Sequence, residues 1–322
     1  MAHDWSGRVF STDLVAFQDD FRFRSIRLGH KLDRHPLFTP ERLTLAAERA
    51  VSADGGTYFH ASAGLTRLDS RFDETNALRP FPELIANLRY LSAWAKLSSL
   101  DSFDSDYADF LSDAISDLSE LTGQPKSAMS EKHITVFMAS PNVSTPFHID
   151  HDFNILAQII GSEKRLCVFP PNDRDLVTQE EVEGFYVTDM SAAKYKPHLQ
   201  TRGNLYPMEP GMAVSIPPLG PHWVQNGNDV SISLSLVMSL PEFDRRAKIH
   251  QVNYHLRKAG FRPAEPGAGS FDNAKANFLT MLSIRKPMNQ RELLFSGVDR
   301  LRLPARVLRG IGRHWRALSA RN

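Results

Sequence analysis

Between His133 and Leu240 the chain is cut into short apolar runs, each stopped by proline or glycine before a helix could complete three turns. The runs read ITVFMA, NILAQII, RLCVFPP, MAVSIPP and the alternating VSISLSLVM. Segments of this length, rich in Val and Ile and bounded by turn residues, are strands rather than helices. Pro210-Gly211 fits a type II turn, in which glycine takes the positive φ. Asn226-Gly227, between HWVQ and VSIS, reads as a hairpin signal. Many short strands at close spacing predict a small antiparallel barrel or sandwich.

The flanks have a different pattern. From the start to about Ser130 the spacing is mainly helical: Pro40 opens one helix, Pro82 another through Leu84, Ile85, Leu88 and Leu91, and a third runs from about Asp106 to Leu121 with Gly123 as its C-cap. The third and its lead-in carry Asp101, Asp104, Asp106, Asp109, Asp113, Asp117 and Glu120, read as a solvated acidic face or a docking surface for a basic partner. After Pro241 helices return, interrupted by a linker at Arg262–Ser270. Leu303, Val307, Ile311, Trp315 and Leu318 then form one helical stripe interleaved with Arg302, Arg306, Arg309, Arg313 and Arg316. That stripe suits packing on the domain or on a second subunit, a membrane surface, or nucleic acid. The division expected is 1–130 mainly helical, 131–240 barrel, and 241–322 a helical C-terminal extension.

Composition excludes several functions. Of 322 residues only Cys167 is a cysteine, so neither an internal disulfide framework nor a zinc site with several cysteines is possible. A metal would have to be held by histidine and carboxylate. The net charge of +1 makes no global case for nucleic acid or membranes. The N-terminus shows no apolar signal region, and no apolar run approaches the roughly 20 residues of a transmembrane helix. A cytoplasmic protein is the expectation.

The chemistry concentrates in Ser144-Thr-Pro-Phe-His-Ile-Asp-His-Asp-Phe-Asn154. His148 and Asp150 are two apart, so on a strand both would point to one face and could meet one ion. His222, at the start of another expected strand, is the best third ligand. Two histidines and one carboxylate on one face of an octahedral ion leave three open positions, the arrangement of non-haem iron(II) oxygenases. Alternation puts His151 on the other face, facing solvent or supporting the ligands. His133, His198, His250 and His255 stand in no comparable setting.

The stretch His133–Met238 resembles the JmjC/cupin-like (cupin 8 type) family of iron(II)/2-oxoglutarate-dependent oxygenases, which includes the asparaginyl hydroxylase of the hypoxia pathway and bacterial cupin-like proteins. Thr145-Pro-Phe-His148-Ile-Asp150 matches the family's T-P-x-H-x-D. Asn154 and Leu156-Ala-Gln-Ile-Ile-Gly161 match its strand ending in Q-I-x-G, and Lys164–Pro171 matches K-R-x-x-x-F-P-P. Pro210-Gly211, Ile216-Pro217 and His222-Trp223 match P-G-D, I-P and W-H, with Met212 in place of the family's Asp and the Trp-His order reversed. The matches come in the family's order and cover about a third of the chain.

The resemblance implies a double-stranded β-helix (jelly-roll) barrel with iron(II) at its mouth. It implies that Lys164 receives the distal carboxylate of 2-oxoglutarate, aided by Thr145, with Asn154 and Ser235 as further polar contacts; Ser235 stands where the asparaginyl hydroxylase has Asn. The turn before Lys164 is one residue longer than the closest pattern, so Arg165 is the alternative anchor, and the downstream Phe-Pro-Pro register favours Lys164. The activity implied is hydroxylation of a protein or peptide side chain, with a small-molecule substrate second. A non-catalytic cupin-like protein binding a metal or a small acid is the rival from another class. The polar, aromatic stretch from Asn172 to Asn204 is a plausible lid, and the C-terminal helices suggest a homodimer.

Overall fold

The computed structural model describes residues 8–54, 59–63, 67–70, 81–187 and 189–282. The chain divides into two compact units, Met1–Asn172 with Tyr195–Ser239 and Asp173–Lys194 with Leu240–Asn322.

The first unit holds two antiparallel sheets. Its strands are β1 (Phe10–Ser11), β2 (Arg27–His30), β3 (Phe59–Ala63), β4 (Ala93–Ser98), β5 (Ser130–Ala139), β6 (Ser144–His148), β7 (Phe153–Ile160), β8 (Lys164–Val168), β9 (Asn204–Met208), β10 (Met212–Ile216), β11 (His222–Gln225) and β12 (Ser231–Ser239). Eight form a sheet in the order β1-β2-β10-β7-β12-β5-β4-β3, and four form a second in the order β6-β11-β8-β9. Every apolar run singled out in the sequence is a strand. β7 shows why the runs look continuous rather than alternating: all but its last residue are buried, so both faces are covered. Leu156 on β7 and Met212, Val214 and Ile216 on β10 meet Leu166, Val168, Met208 and Val224 of the small sheet in one apolar core. At the start of β7, Phe153 meets Phe17 and Phe21 edge-on, at 6.2 and 5.4 Å. Phe17 lies on helix α1 (Leu14–Asp20) and Phe21 caps it.

In the N-terminal region helices predominate: α1, α2 (Pro40–Asp54), α3 (Phe81–Asn87) and α4 (Ser105–Thr122). Four short strands also come from it and extend the large sheet at both edges, β1 and β2 beside β10, β4 and β3 beside β5. The helix opened near Pro82 stops at Asn87 and passes into a 3₁₀ turn, Leu88–Tyr90. α4 ends as expected, with Gly123 at φ 65°. Its acidic residues divide by role. Asp104 is buried and holds Arg42 and Arg49 at 2.7 and 2.6 Å. Asp117 is buried and accepts the Phe10 N–H at 2.8 Å, which ties β1 down. Asp106, Asp109, Asp113 and Glu120 are exposed.

The hairpin expected at Asn226-Gly227 does not form. β11 and β12 lie in different sheets, and the pair carries the chain across from one to the other. Asn226 donates its backbone and side-chain N–H groups to the Val143 carbonyl at 2.9 and 3.0 Å. Gly227 is needed for close approach, since a Cβ there would collide with the Glu163 carbonyl oxygen and the Ser162 hydroxyl. Gly227→Ala is therefore expected to destabilise the protein by about 1–3 kcal/mol, through overpacking against backbone. Urea unfolding checks this; an unchanged midpoint would mean that the Glu163 loop yields freely.

The second unit contains α5 (Gln179–Phe185), α6 (Pro241–Lys258) and α7 (Asp272–Leu282). The stretch Asn172–Asn204 is thus not irregular throughout. Thr178 and Glu181 form a capping box that starts α5, and Phe185 and Tyr186 are buried. A 3₁₀ helix, Pro197–Arg202, follows in the first unit. Arg262–Ser270 is irregular, as expected of a linker. The apolar and arginine stripe from Leu303 onward, with the dimer contact expected of it, lies outside the described residues. Among the described residues no helix is long and apolar enough to cross a membrane.

Candidate metal centre

β6 and β11 are neighbours in the small sheet, and their register sets His148 directly opposite His222. The imidazoles lie with centroids 4.0 Å apart and planes inclined by 51°. β6 ends at His148, so Asp150 stands in the loop beyond it rather than on the strand. That loop is pinned where the Asp150 carbonyl accepts the Leu219 N–H at 2.8 Å. Leu219 itself takes φ 61°, a left-handed conformation that costs a non-glycine residue about 1–2 kcal/mol. The turn that delivers His222 is thus held against its own preference.

The three side chains converge. Asp150 Oδ2 is 3.9 Å from His148 Nε2 and 3.7 Å from His222 Nε2. One ligand atom from each lies within 4.8 Å of the others. His148 Nδ1 faces the Pro146 carbonyl at 2.8 Å, and His222 Nδ1 faces the Gly220 carbonyl at 3.0 Å. A carbonyl only accepts, so both Nδ1 atoms carry a proton and Nε2 is the atom of each ring that an ion would use. Burial, and then His148 beside it, push the His222 pKa down to about 4. For Asp150, burial works to raise the pKa, but His148 and His222, followed by Lys96 and His151, outweigh it and hold the carboxyl below its ordinary range.

A register shift between His222 and Val224 pairs Val224 with Thr145. Residues paired across strands point to the same side. His148 and Thr145, three apart, therefore share the face of His222 and Val224, which an unbroken strand would not allow.

Deeper in the first unit lies a polar row. The serines of β12 alternate with aliphatics. Ser233 accepts a hydrogen bond from Lys164 Nζ and donates to Gln158 Oε1 at 2.7 Å; Ser235 donates to Asn154 Oδ1 at 2.8 Å. Lys164 is buried, and burial alone pushes its pKa down to about 7. No carboxylate among the described residues pairs with it. It stands four residues along β8 from Val168, the partner of His222, about 13 Å of strand. Arg165 is exposed and donates to Glu163 at 3.1 Å, so it lies outside this row. His151, expected to face solvent or support the ligands, is buried with its Nε2 3.3 Å from the Ser239 hydroxyl.

No family model and no curated protein matches the sequence. Solved structures do match. The X-ray structure of E. coli ycfD superposes with a TM-score of 0.50 and 12% identity, over 87% of this chain and 69% of that one. The fold is similar to that of ycfD. A structure of the E. coli ribosomal oxygenase YcfD with cobalt and 2-oxoglutarate gives 0.47 at 13% identity, over 87% and 69%. An oxidoreductase of the 2OG-Fe(II) oxygenase family from Burkholderia pseudomallei gives 0.36 at 12%, over 71% and 91%.

Within this ycfD-like fold, some residues at the centre had no sequence signal. Lys96 and Trp94 lie on β4, in a region whose spacing reads as helical. Their partners in the register are Phe137 and Ala139, so they face the same side as Phe137, which packs on the core between the sheets. Lys96 is close enough for its charge to act on Asp150. Gln158 and Ser233 sit inside matched motifs but could be given no role, because the bonds they make cross between β7, β8 and β12.

Proposed function

We propose that this protein is an iron(II)- and 2-oxoglutarate-dependent oxygenase of the JmjC/cupin-like family, hydroxylating a protein or peptide side chain. The observation that carries the reading is the joint presence of two imidazoles and a carboxylate around one point and a buried ammonium that no carboxylate among the described residues pairs with. His148, Asp150 and His222 would hold the iron; the donor set leaves coordination positions open, as oxygenase chemistry requires. Iron with 2-oxoglutarate and dioxygen supplies the oxidising power for C–H hydroxylation. Lys164 would receive the distal carboxylate of 2-oxoglutarate, an acceptor that satisfies a desolvated ammonium. Thr145 would donate its hydroxyl to the same carboxylate, and Asn154 and Ser235 would line the cosubstrate. The Nδ1 bonds to Pro146 and Gly220 orient both imidazoles, and the core between the sheets keeps bulk water from the cosubstrate.

The sheet order supports a double-stranded β-helix for 131–240: β5 to β8 alternate between the two sheets, and so do β9 to β12. The residues 1–130 and 241–322 are then additions to the catalytic barrel. A protein substrate is in keeping with the ribosomal oxygenase YcfD, and a small molecule is the second candidate. We place the protein in the cytoplasm, as a homodimer joined through its C-terminal helices. Light scattering should then give twice the chain mass of 36.3 kDa, and the chain mass alone would refute the dimer.

Turnover tests the activity. With iron(II), ascorbate and oxygen, the purified protein is expected to convert 2-oxoglutarate slowly to succinate even without substrate, and His222→Ala to produce none. A wild-type protein that binds metal yet never consumes 2-oxoglutarate would favour the non-catalytic cupin-like reading.

A further inference from the structure

The second unit holds three arginines that differ in one respect. Arg257 gives its Nε and Nη2 to the two oxygens of Glu183, at 2.8 and 3.0 Å. Arg174 gives the same two nitrogens to Glu265, at 2.8 and 3.0 Å. In Arg246 these two nitrogens are buried and meet no acceptor. This edge of the guanidinium is a fork that suits two oxygens of one anion. Glu242 lends its field to Arg246 but accepts no hydrogen bond from either nitrogen.

His250 lies four residues further along α6, on the same face of the helix. It is 1% exposed, and its Nδ1 is also without a partner. Its ring stacks on Tyr186, with centroids 5.6 Å apart and planes at 16°. The positive charges that act on it belong to Arg246, Arg174 and Lys275. Phe243 covers the Arg246 guanidinium, with Cζ 5.7 Å from the ring centre. Two guanidinium donors and one imidazole nitrogen therefore stand unsatisfied on one helix face in cationic surroundings, an arrangement whose cost falls sharply once an anion accepts from the guanidinium and from the N–H tautomer of the imidazole. Arg246 as a whole is partly exposed, so its fork lies just beneath the surface.

We propose that Arg246 and His250 form a binding site for a small oxyanion, a phosphate or a carboxylate group, with two oxygens on the Arg246 fork and a further contact from His250 Nδ1. All the residues of this site belong to the second unit, and it does not rest on the oxygenase reading.

The test is thermal unfolding of the full-length protein in inorganic phosphate and in acetate, each against chloride at equal ionic strength. One of the two anions is expected to raise Tm by about 2–4 °C at saturation, and which one does so separates phosphate from carboxylate. Arg246→Met should lose the response. Arg246→Lys, which keeps the charge without the fork, should need roughly tenfold more anion. Lys164→Met should keep the response, which separates this site from the proposed cosubstrate pocket. Should Arg246→Met fail to fold, His250→Gln in the same titration takes its place, with a several-fold weaker response expected. No rise with either anion, a rise that survives Arg246→Met, or one that is lost in Lys164→Met would each overturn the proposal.

Discussion

Lys164→Met is expected to raise the stability of the metal-free protein while weakening 2-oxoglutarate binding by roughly 100-fold or more. The two effects have one cause. The ammonium is buried, its single hydrogen-bond partner among the described residues is Ser233, and burial alone has lowered its pKa. Methionine fills a similar volume without a charge to desolvate, and Ser233 keeps its bond to Gln158. A gain on the order of 1–3 kcal/mol follows if the removed charge carried a typical burial penalty. The sign also shows in the pH dependence. The folded pKa is about 7 against an ordinary 10.5. Between those values the unfolded chain holds a proton that the folded chain lacks, so stability rises with pH across the window and levels off above it. Below about pH 7 both states are protonated and this residue contributes no slope. The variant should lack this rise, while in the wild type the affinity for 2-oxoglutarate should fall as pH climbs above 7. Denaturant unfolding at several pH values, with calorimetric binding beside it, measures both. A variant less stable than the wild type, with unaltered 2-oxoglutarate affinity, would show that the lysine is a structural group.

Asp150→Ala should weaken divalent metal binding by more than about 100-fold, because even partners that only orient ligands typically account for 10–100-fold. The carboxylate is the one anionic group of the triad, and without it two neutral imidazoles would face a dication. Folding stability should fall only modestly, since the histidines hold the carboxyl below its ordinary range but the Asp150 side chain is 39% exposed. The His222 pKa of about 4 adds a second expectation. Above about pH 5 its Nε2 carries no proton, so His222 should not limit metal affinity near neutrality. Titration with cobalt(II), read optically, checks the variant. Affinity within tenfold of the wild type would remove Asp150 from the ligand set.

Much of this site was legible because His148, His222 and Lys164 sit on strands with strong local signals, while Asp150 comes from the loop just beyond β6. The histidine–carboxylate spacing around His148, the Pro-Pro-Leu-Gly-Pro turn before His222 and the register of Lys164 all come from short segments whose strand character is plain. What could not be read depends on pairing between distant segments. β4 has six residues and no clear alternation, because Ala93, Trp94, Ala95 and Leu97 are buried and only Lys96 and Ser98 break the run. Its place beside β5 decides that Lys96 acts on Asp150. Asn226-Gly227 has the chemistry of a hairpin, but the chain uses its glycine for clearance against Glu163 as it changes sheets. Thr145 shares a face with His148 only because of the register shift opposite Val224. The empty edge of Arg246 is invisible in sequence, where Arg174, Arg246 and Arg257 look alike.

The central claim is that one metal and 2-oxoglutarate meet at His148, Asp150 and His222. Anaerobic titration of the metal-free protein with iron(II) and 2-oxoglutarate, followed in the visible range, tests it most directly. A weak charge-transfer band that needs both additions, and that is absent from His148→Ala, Asp150→Ala and His222→Ala, is the result expected. No band in the wild type, together with no detectable binding of 2-oxoglutarate, would contradict the account.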